Sequence, residues 1–136
     1  NAPKTITADI DNPILQGADI DVELEVRDAD NALYDLSGAT KLAVVLMYED
    51  YTILAKYSKN ASSGWKELDV TDAATGKLAF KIESAETLDA VEGKIFAEIK
   101  ARFPDVDYAD SYYDMLGQGI YIGEIVKSVT NSLTIP

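Results

Sequence analysis

The sequence contains neither cysteine nor histidine. Without cysteine, disulfide bonds and thiolate chemistry are excluded. Without histidine, the commonest general base, the serine and cysteine triads and the usual zinc ligand sets are all missing. A mechanism built from carboxylates alone is still compatible with the sequence. We expect neither a cofactor nor a metal.

Positive charge is also scarce: 12 Lys and Arg residues stand against 24 Asp and Glu residues, for a net charge of −12. Such a chain repels phosphate backbones and anionic membrane surfaces, so we expect no nucleic-acid and no membrane partner. Hydrophobic residues make up 47% of the chain, which suits one globular domain with its own core. We place this domain at residues 3–136, because Asn1 and Ala2 resemble the remnant of an expression tag.

Hydrophobic periodicity predicts strands along most of the chain. Residues 20–27 alternate apolar and charged side chains, which is typical of a strand with one buried face. Residues 41–48 are apolar on both faces, as expected of a central strand covered on both sides. The remaining segments with strand character are residues 4–10, 51–57, 65–70, 77–83, 94–103 and 118–128.

One segment favours a helix. Residues 84–88 suit a single helical turn capped by Ser84, with Leu88 and Val91 closing the end of the core. Many strands, one helical turn and no alternation of strand and helix predict an all-β fold. We expect a two-sheet antiparallel β-sandwich, immunoglobulin-like in architecture, with Trp65 outside the central strand and no cysteine pair.

Asp28 and Asp30 begin like a calcium-binding loop. However, Ala32 stands at the third ligand position, and Leu33 stands where such a loop needs glycine. The segment is therefore predicted to be an ordinary surface turn.

The first candidate site is a row of acidic residues on one strand face. Alternate residues of a strand lie about 7 Å apart, so these carboxylates repel one another unless a cation meets them. The row is either a docking face for a basic neighbour or a charged surface that prevents aggregation. It offers no apolar pocket in which a catalytic carboxyl group could have a raised pKa, so we expect no enzyme. The row consists of Asp19, Asp21, Glu23 and Glu25.

The second candidate site lies in residues 104–117, a segment without clear periodicity that we expect to be a loop. Tyrosine gives a large contact area at low entropy cost, so the segment is a candidate interaction loop. Alternatively, its tyrosines cover the end of the core or extend the flanking strands as a long hairpin. The candidate residues are Tyr108, Asp110, Tyr112, Tyr113 and Asp114.

Four segments, taken in order, resemble a known family. They are residues 17–19 (Gly-Ala-Asp), 35–40 (Asp-Leu-Ser-Gly-Ala-Thr), 70–78 (Val-Thr-Asp-Ala-Ala-Thr-Gly-Lys-Leu) and 90–98 (Ala-Val-Glu-Gly-Lys-Ile-Phe-Ala-Glu). The series is similar to the immunoglobulin-like domains of tailed-phage structural proteins, in particular the N-terminal domain of the baseplate upper protein family.

This resemblance implies a structural or assembly protein of a phage or prophage virion, of tail or baseplate type, without enzymatic activity. Its partners would be other virion or phage-assembly proteins, or further copies of the chain. It would be located in the virion, or in the host cytoplasm during assembly. The alternative is a secreted or surface binding module that uses the Tyr/Asp-rich segment to hold a carbohydrate or protein ligand.

Overall fold

The computed structural model describes residues 5–10, 13–130 and 133–136, so Asn1 and Ala2 lie outside the described residues. The protein is mostly β, with 53% of residues in strands and 6% in helices. In chain order the strands are β1 (Thr5–Asp9), β2 (Ile14–Leu15), β3 (Ile20–Arg27), β4 (Lys41–Tyr48), β5 (Ile53–Ser58), β6 (Lys66–Glu67), β7 (Asp69–Asp72), β8 (Lys77–Ile82), β9 (Gly93–Pro104) and β10 (Tyr112–Val126).

The strands form two sheets. Sheet A has four strands in the order β1-β3-β8-β7, and sheet B has six in the order β2-β10-β9-β4-β5-β6. Sheet B curls into a half-barrel. β2 runs parallel to β10 and β6 runs parallel to β5, so the prediction of purely antiparallel pairing is wrong at both edges of sheet B. Both of these strands are two residues long, which is too short for periodicity to reveal.

The core lies between the inner faces of the two sheets. The predicted alternation of β3 is confirmed, because its apolar residues are buried while Asp21 and Glu23 are exposed. Tyr57 of sheet B packs on Phe80 of sheet A with ring centroids 4.5 Å apart. The Tyr57 hydroxyl donates a hydrogen bond to the carbonyl of Lys81 at 2.7 Å, which satisfies its buried polar end.

β4 is central in sheet B, but it is not covered on both faces as predicted. Leu42, Val44 and Leu46 are buried in the core, whereas Ala43 and Val45 on the other face are only partly buried. Sheet A packs on the inner face of sheet B, so Ala43 and Val45 have no second layer of described strands over them.

Two local predictions need correction. Residues 65–70 form not one strand but β6 and β7, which belong to different sheets. The helical turn, α1 (Ser84–Thr87), is capped by Glu83 rather than Ser84, since Glu83 and Glu86 form a capping box. Leu88 and Val91 do not close the core; they are 44% and 73% exposed.

Thr87 takes the place expected for those apolar residues. It is fully buried, and its hydroxyl accepts a hydrogen bond from the Gly17 N–H at 2.9 Å. The same hydroxyl lies 3.2 Å from the carbonyl of Ala18, to which it donates. The Thr87 side chain thus connects α1 to the segment before β3. Hydrophobic periodicity does not predict such a polar contact.

Candidate functional site

The β9–β10 hairpin extends beyond the rest of sheet B. β4 begins with Lys41 opposite Arg102, whereas β9 and β10 remain paired as far as Pro104 and Tyr112. β10 therefore starts six residues before the predicted 118. The loop prediction for residues 104–117 is wrong at Pro104, which ends β9, and from residue 112 onward, where the long-hairpin alternative is correct.

The five predicted site residues are divided between the turn and the strand. Tyr108 and Asp110 lie in residues 105–111, which we call the hairpin tip. Tyr112, Tyr113 and Asp114 are the first three residues of β10. Pairing with β9 sends the latter three alternately to the outer and inner faces of sheet B, so they do not form a single surface.

The hairpin tip is acidic and held by its own hydrogen bonds. The Asp105 N–H donates to the carbonyl of Ser111 at 2.9 Å, and the Asp107 N–H donates to Asp105 Oδ1 at 3.0 Å. Asp110 Oδ1 accepts a hydrogen bond from the Tyr112 N–H at 3.1 Å. Val106, the second residue of the tip, is 91% exposed. The tip therefore presents an exposed apolar side chain among carboxylates, and its backbone is held by several hydrogen bonds.

A row of aromatic rings supports the tip from the inner side. Tyr108 lies 5.5 Å from Tyr113, Tyr113 lies 6.3 Å from Phe103, and Phe103 lies 6.2 Å from Tyr34, measured between ring centroids. Tyr113 and Phe103 are partly buried and pack against the core. Tyr113 is thus a core cover, one of the roles considered above, while Tyr108 is 44% exposed and extends the row into the tip.

The outer side of the hairpin carries a two-pronged ion pair. Arg102 Nε donates to Asp114 Oδ1 at 2.8 Å, and Nη2 donates to Oδ2 at 3.0 Å. Lys100 Nζ lies 3.8 Å from Asp114 Oδ2, and the Arg102 guanidinium lies 5.0 Å from the centroid of the Tyr112 ring. Hydrogen bonds from Arg102, reinforced by the charges of Arg102 and Lys100, hold the pKa of Asp114 below its usual range.

This ion pair predicts a pH dependence of stability. Because the pKa of Asp114 is lower in the folded state than in the unfolded state, its stabilisation is complete above the ordinary Asp value of about 4. It is lost as the pH falls through the folded-state pKa. We therefore expect Asp114→Asn to be less stable than the parent at neutral pH and to lose less stability below about pH 4. Urea unfolding across this pH range measures both effects. Asp89→Asn, at an exposed position outside the hairpin, is the matched control, and identical pH profiles for the two variants would contradict the prediction.

A groove with cationic walls lies next to the hairpin, on the outer face of sheet B. Lys56 Nζ lies 5.0 Å from the centroid of the Trp65 ring, which stands at one side of the groove. Sequence reasoning missed this site, because its cations are far apart in the chain and only the strand register brings them together. We call it the basic groove; its lining includes Lys41, Ser58, Asn60, Ser62, Trp65, Lys100 and Arg102.

An apolar patch occupies the other end of the same outer face. Met47, Phe96 and Tyr121 stand side by side on β4, β9 and β10. Met47 is only 8% exposed although it lies outside the core cluster, so its neighbours on the outer face cover it. Tyr51 borders the patch from the β4–β5 turn. Its φ is 68°, a value that residues other than glycine rarely adopt.

The predicted acidic face is opposed by cations of the same chain. Asp21 Oδ1 lies 3.9 Å from Lys81 Nζ, and Glu25 Oε1 lies 2.8 Å from Arg27 Nε. Asp19 precedes β3, and its carboxylate accepts a hydrogen bond from the Ser84 N–H at 2.7 Å. Three of the four acids therefore have a partner within the same chain. Of them, Glu23 is the exposed carboxylate without a partner among the described residues.

In the turn that begins with Asp28, the Asp28 carboxylate binds backbone N–H groups of the same turn. Asp28 Oδ1 accepts hydrogen bonds from the N–H groups of Asp30 and Ala32 at 2.9 and 3.0 Å, which is the geometry of an Asx turn. Within residues 5–10, 13–130 and 133–136, no group of three or more acidic side chains is placed to hold a metal ion.

In the same part of the chain, no helix has the length and apolar character needed to cross a membrane. No model of a known protein family matches the sequence, and no curated protein matches it.

Proposed function

We propose that this chain is a non-enzymatic structural or assembly domain of a tailed phage or prophage, of tail or baseplate type. In this proposal the fold is an immunoglobulin-like β-sandwich, and it acts through protein–protein contacts with other virion or assembly proteins or with further copies of itself.

The observation that carries the proposal is the hairpin tip. A projecting element with exposed apolar side chains and internal hydrogen bonds loses little conformational entropy when it binds, so more of its contact energy is available as affinity. Val106 and Tyr108 supply the apolar contact area, and the carboxylates around them favour a basic partner surface. The apolar patch around Phe96 offers a second surface of the same kind.

The family resemblance supports the phage assignment in this proposal. Residues 17–19 and 35–40 lie immediately before β3 and β4, residues 70–78 contain the short turn that joins β7 to β8, and residues 90–98 lead into β9 and include its first six residues. The resemblance therefore rests mostly on turns, as expected for a shared fold rather than a shared active site.

A second candidate function is a secreted or surface binding module. Tyr108 and Tyr112 are 44% and 39% exposed and could stack on the faces of sugar rings. This candidate predicts a secreted or cell-surface location and no association with virus particles.

Particle composition separates the two functions. A culture that carries the gene is induced to produce phage, and the particles are purified on a density gradient and analysed by mass spectrometry. We expect the chain to sediment with the particles at a constant ratio to the other tail proteins through repeated gradients. Recovery only in the particle-free fractions would contradict the proposal. An unrelated host protein of similar abundance serves as the contamination control.

A further inference from the structure

We infer that two copies of this chain associate reciprocally, with the hairpin tip of each copy in the basic groove of the other. The inference names a partner for the hairpin tip and to that extent rests on the proposed function. It nevertheless makes its own prediction about the purified protein.

The two surfaces are complementary in charge. Residues 105–111 contain three Asp residues and no Lys or Arg, in a chain whose net charge is −12. The basic groove instead brings Lys41, Lys100 and Arg102 together, of which Lys100 and Arg102 are already paired with Asp114 of the same chain. Lys41 is exposed and makes no ion pair with any described residue, and Asp107 on the tip is likewise exposed and unpaired. Lys41 of one copy can therefore pair with Asp107 of the other without breaking an existing ion pair.

The tip and the groove are also complementary in their apolar parts. Val106 in the tip is 91% exposed, and the groove has the partly buried Trp65 on its wall. An aliphatic side chain that docks against a tryptophan ring at the centre of a charged contact gives the usual arrangement of an apolar anchor with a polar rim.

The position of the two surfaces favours a two-fold contact. Both lie at the same end of sheet B, since Arg102 lines the groove and the tip begins three residues further along the hairpin. A two-fold axis beside this end brings each tip to the other copy's groove, and the same contact is then made twice. Two small contacts formed together bury twice the area of one, which compensates for the limited size of each surface.

Because the tip is held by its own hydrogen bonds, it needs little rearrangement to dock. The bonds from the N–H groups of Asp105 and Asp107, and the support of Tyr108 by Tyr113, fix its shape before binding. The Arg102–Asp114 pair braces the base of the same hairpin from its outer side. Preorganisation lowers the entropic cost of association.

Two charge-swap variants test the contact. The tip variant carries Val106→Lys and Asp107→Lys; the hydrogen bond made by residue 107 uses its backbone N–H and is therefore retained. The groove variant carries Lys41→Glu and Lys100→Glu, both at exposed positions. A control matched to the groove variant carries Lys77→Glu and Lys81→Glu. It changes the net charge by the same amount, but on the outer face of sheet A.

Sedimentation equilibrium is measured for each protein alone and for equimolar mixtures. We expect the wild type to dimerise, and each swap variant alone to dimerise at least tenfold more weakly. The tip variant places two new lysines against the cationic groove, and the groove variant places two new glutamates against the acidic tip. Mixing the two variants should restore dimerisation, since the new lysines then meet the new glutamates while the unaltered tip meets the unaltered groove. The control variant should dimerise as the wild type does.

Any of three results would overturn the inference. The first is a wild type that remains monomeric at about 0.5 mM, well above the Kd of a weak specific contact. The second is a dimer that persists in both swap variants, and the third is a mixture that fails to recover; either would place the contact elsewhere. Circular dichroism of each variant verifies folding, and Lys41→Gln with Asp107→Asn provides a milder pair if a swap variant does not fold.

The outcome is separable from that of the proposed function. A chain that sediments with particles but does not dimerise through the tip and groove refutes this inference alone. A chain that dimerises as described but never accompanies particles refutes the phage assignment alone.

Discussion

Replacing Val44 or Ile99 with Asp is expected to abolish soluble expression of the protein. The two residues are opposite each other on β4 and β9, and each side chain is 0% exposed. A carboxylate at either position would lie among apolar side chains with no cation to pair with. The cost of burying such a charge is several kcal/mol, comparable with the roughly 5–15 kcal/mol that stabilise a typical domain.

Expression and separation of the soluble fraction, followed by circular dichroism of any soluble protein, measure the effect. Ala43→Asp is the matched control: it introduces the same carboxylate one residue before Val44, on the outer face and opposite Lys100. We expect this control to be soluble and folded. If Val44→Asp is as soluble and stable as Ala43→Asp, the assignment of the inner and outer faces of β4 is incorrect.

Gly76→Ala is expected to have the second largest effect. Gly76 follows the short turn Ala73–Thr75 with a φ of 72°. A Cβ atom there would lie 2.6 Å from the carbonyl oxygen of Val26 and 2.7 Å from that of Tyr34. Both contacts are with backbone atoms and cannot be relieved by a side-chain rotation. We expect a loss of about 3 kcal/mol or more in the free energy of unfolding.

Gly119→Ala separates the steric effect from the backbone effect. Gly119 has the same φ of 72°, but a Cβ at this position would meet nothing within 4 Å. The left-handed conformation alone costs about 1–2 kcal/mol. Chemical denaturation of both variants should therefore show a clearly larger loss for Gly76→Ala, and equal losses would mean that Gly76 has more space than the structure gives it.

The sequence was most informative where one strand face is buried. The period of two in residues 20–27, 77–83 and 94–103 predicted β3, β8 and β9 with their inner faces, because burial itself imposes that period. It was least informative where short strands pair at the sheet edges. β2 and β6 contain two residues each, and they are recognised as strands only by their pairing with β10 and β5.

The candidate site was predictable only in part, for a similar reason. The composition of residues 105–114 pointed to the hairpin as a surface of interest. The division into a rigid tip and two strand faces depends on pairing with β9, which local composition does not encode. The basic groove could not be predicted, because Lys41 and Lys100 are distant in the chain and only the pairing of β4 with β9 brings them together.

The parallel pairing of β2 with β10 has a consequence for synthesis. Ile14 pairs with Ile125, and the Gln16 N–H donates to the carbonyl of Val126 at 3.0 Å, so the edge of sheet B joins two distant parts of the chain. A ribosome adding about 5–20 residues per second produces Ile14 several seconds before its partner. During that interval β2 has no strand to pair with. Its length of two residues limits the unpaired edge that the nascent chain exposes to other proteins.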